Sequence, residues 1–155
     1  MVGIVHKIYI AADKRDVVVG IEEANLEKDK GIVGDRYHAL AEVAAANGKA
    51  APENQVTLVD KDELDAFLAK HNADLDYGDF RRSIVTSGID LNALVGKEFV
   101  LGEARCLGVE LCEPCAYLAA SVHKAVLPDL VHRGGLRAVV VESGKVRPGT
   151  IIKSA

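Results

Sequence analysis

The stretch R81-R-S-I-V-T-S-G-I-D90-L-N-A-L-V-G96-K-E-F-V-L-G102 decides the fold. Its β-branched run Ile84-Val85-Thr86 predicts a strand, Leu91 to Leu94 a single turn of helix, Gly96 a turn, and Glu98 to Leu101 a second strand. A third strand follows at once in "ARCLGVEL", Ala104 to Leu111. Successive strands with no helix between them exclude the strict strand-helix alternation of a doubly wound parallel sheet.

Outward from this stretch the same texture recurs. "VGIVHKIYIAA" predicts a strand from Val2 to Ala11, Val17 to Ile21 a second, and "NQVTLVD" a short strand running into a helix. In that helix Asp60 is the expected N-cap with Glu63 as its capping-box partner, and Leu64, Phe67 and Leu68 share one face up to an end near His71. A second helix is expected from Pro114, a residue suited to the first helical position. The end, "LRAVVVESGKVRPGTIIK", predicts a strand, a Ser143-Gly144 turn, a short strand, a Pro148-Gly149 turn and a last strand. Between Glu22 and Glu53 charge, glycine and alanine mix without clear period, which predicts a long loop with a mobile part around "AAANGKAAPEN". About seven short strands and two clear helices make the expected fold mostly β: a barrel with helical decorations.

The chain has 155 residues, 49% hydrophobic and 27% charged, the balance of one globular domain spanning residues 1–155. With aromatics at 5% and no Trp, the core must rest on Val, Ile, Leu and Ala. The net charge of -4 argues against a general binder of nucleic-acid backbone. No apolar run reaches the ~20 residues of a membrane helix, and the N-terminus lacks a signal-peptide layout, so the expected address is cytoplasmic. A reducing compartment makes a C-x-x-C catalytic, metal-binding or simply reduced rather than a structural disulfide.

All three cysteines lie in "CLGVELCEPCAYLAA", Cys106 to Ala120. Cys115 follows Pro114 at the expected start of a helix, where unpaired N–H groups favour a thiolate. A small buried hydrophobe is the plain alternative. A thioredoxin-like pair would want a βαβ setting around the motif, and a tetrahedral zinc site would need a second ligand pair; neither is evident. Cys106 reads as packing, and Cys112 as either a resolving thiol or a core residue. "GIVGDRYH", Gly31 to His38, sets Asp35, Arg36 and His38 after two glycines, a surface turn or a place of close ligand approach. "HRGGLRAVVV" sets Arg133 and Arg137 about Gly134-Gly135, where backbone N–H groups and guanidinium forks suit an anion. Arg81 and Arg82 precede a strand, so at most one can share a face with the next ladder position.

Taken in order, G-I-V-G-D-R-Y-H, R-x-I-V-T-S-G-I-D-L-N-A-L-V-G-K-x-F-x-L-G, C-E-P-C, R-G-G-L-R-A-V-V-V and a closing R-P-G resemble the MOSC family, relatives of the C-terminal domain of molybdenum cofactor sulfurase, in its short stand-alone bacterial form. The resemblance spans Val2 to Lys153. It implies a closed, mixed-topology barrel like that of pyruvate kinase's β-barrel domain, and a molybdenum cofactor (molybdopterin) whose metal is ligated by Cys115, or a transferable sulfur carried on it. Arg36, Arg82, Arg133 and Arg137, with Gly134, are then expected around the pterin phosphate or an oxo-metal centre, and Asp35 and His38 as their orienting partners or as acceptors of pterin N–H groups. It further implies a small-molecule substrate, plausible among N-hydroxylated compounds, and a protein partner, an electron donor or a cysteine desulfurase. Ser83, where many short relatives carry Asn, and Gly149-Thr150, where they carry Gly-Asp, depart from the pattern and alter the expected pocket in detail.

Overall fold

The computed structural model describes residues 1–113, 123–125 and 129–155. The helix expected from Pro114 lies outside the described residues.

The first strand, β1 (Val2–Ile10), pairs antiparallel with the last, β11 (Ile151–Ser154), through Val2↔Lys153 and Ile4↔Ile151, and this pairing closes a ring. Round it, β11 is followed by β7 (Glu98–Leu101), β8 (Ala104–Leu111), β9 (Leu136–Glu142), β5 (Val56–Asp60) and β6 (Ile84–Ser87), which returns to β1. The barrel therefore has seven strands and mixed topology, because β5 and β6 alone run parallel while the other ring pairs are antiparallel. A parallel neighbour needs a crossover, which α2 (Lys61–His71) and a 3-10 turn at Tyr77–Phe80 supply. A two-residue strand, β2 (Val19–Gly20), hangs from the end of β1 where a longer strand was expected.

Alternation sets the two faces of the wall. Ala104, Cys106 and Gly108 of β8 and Leu136, Ala138 and Val140 of β9 are buried in turn. Cys106, opposite Phe99 and Val140, lies fully buried in the barrel core, as its reading as a packing residue requires. Burial pushes its thiol up to about 12, so it stays protonated. On β5 both faces are covered: Val56 and Leu58 join the barrel core, while Val59 packs with Leu64 and Phe67 of α2, Phe80 and Leu130 in a second cluster.

The region from Glu22 to Glu53 is more ordered than its composition suggests. It forms β3 (Ala24–Glu27), β4 (Gly31–Ile32) and the helix α1 (Arg36–Ala46). Only His38 and Ala41 of α1 are buried, while Leu40 and Val43 face solvent, so the helix has no apolar stripe to betray it. Asp35 caps it, and its five alanines carry its propensity.

Ser143-Gly144 is likewise not a hairpin turn. The chain leaves the barrel there, and β10 (Gly144–Val146) pairs with β3 in a separate three-stranded sheet, β10-β3-β4. Gly144 permits the change of sheet because a Cβ there would lie 2.4 Å from the Glu103 carbonyl. Among the described residues no helix is long and apolar enough to cross a membrane.

Candidate functional site

The sequence points to the segment bearing Cys115, and the structure describes its two feet. Cys115 itself lies outside the described residues. The outgoing foot leaves the end of β8 at Cys112 and Glu113, and the returning foot enters β9 through Gly134 and Gly135. Cys112 is 5% exposed, and its N–H donates to the Gly135 carbonyl at 2.7 Å. Gly135 has φ +114, and a Cβ there would stand 2.0 Å from the Leu58 carbonyl, so glycine alone lets the foot pass against β5.

Arg82 joins the feet. Its Nε–H donates to the Gly134 carbonyl at 2.7 Å, and its Nη2 to the carbonyls of Cys112 at 3.1 Å and Glu113 at 3.3 Å. Further out, the Glu113 carboxylate accepts the His132 N–H at 3.0 Å, and Asn92 Nδ2 donates to the His132 carbonyl at 2.9 Å. Beneath them Ser83 and Thr57 form a buried polar pair, the Ser83 N–H reaching Thr57 Oγ1 at 2.9 Å.

Arg137 stands opposite Thr57 on one side and Glu110 on the other. Its Nη1 donates to the Glu110 carboxylate, while its Nε is buried with no hydrogen-bond partner among the described residues. An N–H held dry and unpaired costs about 1–3 kcal/mol. Arg133 is 63% exposed, 3.8 Å from Glu63, and lines two adjoining grooves. One, of about 340 Å³, also takes in Phe67, Lys70, Asp129 and Leu130; the other, of about 290 Å³, takes in Asp60, Asp90, Asn92 and His132.

The remaining candidates gather at the start of α1. Asp35, 2% exposed, accepts N–H groups from Ala11 at 2.9 Å and Tyr37 at 3.3 Å, and a guanidinium N–H of Arg36 at 3.2 Å. Arg36 also stacks over the Tyr37 ring, 4.4 Å from its centroid. His38 Nε2 lies 2.8 Å from Glu27 and 3.8 Å from Glu42. Among the described residues, Glu27, His38 and Glu42 form a cluster with metal-ligand character. Lys30 reaches both carboxylates, at 3.3 and 3.0 Å, and so takes the place of a cation. Its bond with His38, and then that with Lys30, holds Glu27 below the usual carboxylate range.

The structure thus brings Arg82 to Gly134 and Asp35 to Arg36, and pairs Arg133, Arg137 and His38 each with a glutamate. Glu110, Glu113 and Asn92 escaped the reading of the sequence. Glu110 becomes visible only through the β8–β9 register, and the other two through bonds to main-chain atoms of residues 19 and 40 positions away.

Comparison with known proteins places this geometry. No curated protein matches the sequence. The fold is similar to that of the YuaD protein from Bacillus subtilis, with a TM-score of 0.78, 19% identity and coverage of 99% of this chain and 96% of that one. It is also similar to YiiM from Escherichia coli, with a TM-score of 0.70, 15% identity and coverage of 100% and 70%. YiiM from Geobacillus stearothermophilus gives 0.69, 13%, and 99% and 75%. These identities show the fold alone. The MOSC domain profile matches residues 45–153, which take in six of the barrel's seven strands and both feet of the cysteine segment, and the chain therefore belongs to the MOSC family.

Proposed function

We propose that this chain binds a molybdenum cofactor, with Cys115 as thiolate ligand of the metal or as carrier of transferable sulfur, and that the loaded protein reduces a small N-hydroxylated substrate. Family membership supports the cofactor, and one observation supports its place: the unpaired, buried Nε of Arg137 beside the feet of the Cys115 segment. An orphan guanidinium N–H fits an anionic oxygen, the chemistry of a pterin phosphate. Arg137 and the exposed Arg133 are thus the donors for the phosphate, and Cys115 for the metal. When bound, the cofactor supplies two-electron redox chemistry at molybdenum.

The chain's own residues bind and orient. Glu110, opposite Arg137 on β8, holds the guanidinium across the strand pair through Nη1 and leaves Nε to take an anion. Gly135 lets the backbone approach β5 closely. With no flavin or iron-sulfur motif in the sequence, electrons come from a protein partner. Pterin content tests this reading, measured by fluorescence after oxidative release from protein made in a molybdenum-replete host. The unsubstituted protein is expected to yield pterin and Arg137→Met at least tenfold less; absence of pterin from the unsubstituted protein refutes the proposal.

A second reading has its own observation. Asp35 and Arg36 satisfy each other, His38 is held by Glu27, and Arg82 binds three carbonyls, so four of the expected cofactor-binding residues already have partners within the protein. A persulfide carrier on Cys115, loaded by a cysteine desulfurase and serving cofactor or metal-sulfur cluster assembly, makes no use of those four. It predicts a gain of one sulfur in intact mass after incubation with desulfurase and cysteine, reversed by dithiothreitol and absent in Cys115→Ser.

A further inference from the structure

We infer that Ser87 and His6 form a second site, on the outer wall of the barrel, in which Ser87 is a nucleophile toward small apolar carboxylic esters. The site uses neither Cys115 nor a cofactor and goes beyond the proposed function. Ser87 ends β6, and its Oγ lies 2.6 Å from Nε2 of His6 on β1, in a part-buried contact. The strand register explains how the two meet. Val5 pairs with Thr86 and Lys7 with Val85, so His6 is the extra residue of a β-bulge. A bulge re-aims one side chain, and this one turns the imidazole onto the hydroxyl. With its proton on Nδ1, His6 accepts the Ser87 hydroxyl at Nε2, the relation of a weak nucleophile to its general base. Asp65 on α2 is the third member. Its carboxylate is held by Lys61 Nζ at 2.7 Å and by the Tyr77 hydroxyl, and it feels the charge of His6. A fixed negative charge beside the ring stabilises the imidazolium formed when Ser87 gives up its proton.

The same register supplies the substrate class. Ile4 pairs with Ser87 on one side and with Ile151 on the other, and directly opposed residues share a face. Ile4 and Ile151 are exposed, so an apolar strip runs from the hydroxyl across β1 to β11 and suits a short acyl chain. In the reaction, Ser87 Oγ bonds the ester carbonyl carbon and its proton passes to His6 Nε2. The ester C–O bond breaks, and the leaving alcohol takes that proton. Water then bonds the acyl carbon and gives a proton to His6, which returns it to Ser87 Oγ as the acid departs.

The test is labelling by diisopropyl fluorophosphate, read by mass on the Ser87 peptide, with hydrolysis of p-nitrophenyl butyrate measured alongside. In labelling, Ser87 Oγ displaces fluoride from phosphorus and His6 takes the proton. Ser87 is expected to gain one diisopropylphosphoryl group, and to do so about 100-fold more slowly in His6→Ala. No label on Ser87 in the unsubstituted protein, or a label formed as fast in His6→Ala, overturns the inference. Should His6→Ala fail to fold, Ser87→Ala decides: butyrate hydrolysis is expected to fall at least about tenfold, and hydrolysis equal to that of the unsubstituted protein overturns the inference. Ile4→Ser is expected to lower hydrolysis of the butyrate ester more than that of the acetate. An unchanged ratio of the two rates overturns the apolar strip as the seat of the acyl chain.

Discussion

At the scale of single residues, the strongest constraints lie where backbone meets backbone. Gly135 combines positive φ with a passage against Leu58 that no side chain can share. Gly135→Ala should cost about 3 kcal/mol or more in urea unfolding, and a loss under about 1 kcal/mol would show that the foot can move aside. Asp35 is the second such point, since its carboxylate serves the Ala11 N–H, the Tyr37 N–H and Arg36. Asp35→Ala removes a helix cap and leaves the Ala11 N–H dry, an expected cost of about 3 kcal/mol; Asp35→Asn, which keeps an oxygen acceptor, should cost less. Residue types alone marked out Cys106 as packing. They could not show that Arg82 binds carbonyls, because every residue presents one and the partners are set by folding.

At the scale of elements, α2 was legible and α1 was not, for one physical reason. In α2 the buried Leu64 and Phe67 repeat at helical spacing behind the Asp60 cap, whereas α1 buries a histidine and an alanine. The expected capping box is half formed: Asp60 accepts the Asp62 N–H at 2.7 Å, while the Glu63 carboxylate turns to Arg133 instead. Burial of Asp60, with repulsion from Asp62 and Asp90, raises its pKa, although the N–H groups of Asp62 and Glu63 oppose the shift. Its ionised form is therefore under strain in the fold. Asp60→Ala should cost about 1 kcal/mol at pH 7, as a lost cap does. Asp60→Asn keeps the cap without the charge and should fall within about 0.5 kcal/mol of the unsubstituted protein or above it. A cost equal to that of alanine would show that the charge itself holds the helix.

At the scale of the whole molecule, stability should follow the carboxylates that hydrogen-bonded partners hold below their usual range. Bonds to His71 and then Lys70 lower Asp129, bonds to Lys61 and then Tyr77 lower Asp65, and a bond to His38 lowers Glu27. A lowered folded-state pKa contributes stability that is full above the unfolded value, 3.8 for Asp and 4.5 for Glu here, and fades as pH falls through the folded one. Bonds to Arg147 and then Lys145 lower Glu23 in the same way, so among the described residues Asp60, with the opposite sign, stands against four. The urea midpoint contributed by these carboxylates should be level from about pH 7 to pH 5 and fall below about pH 4.5; a midpoint that rises on acidification below that range would contradict the assignment.

The barrel class was readable at this scale because short strands outnumber helices and do not alternate with them strictly. Its closure by Val2–Ile10 on Ile151–Ser154, and the departure of Gly144–Val146 to a second sheet, were not, since pairing partners far apart in sequence leave no local period. The central claim is that Cys115 gives this barrel a metal-binding sulfur. Molybdenum analysis of protein from a molybdenum-replete host tests it most directly, with Cys115→Ala measured alongside. The account predicts stoichiometric molybdenum in the unsubstituted protein and its loss in an equally folded Cys115→Ala; no molybdenum in the first, or equal amounts in both, would contradict it.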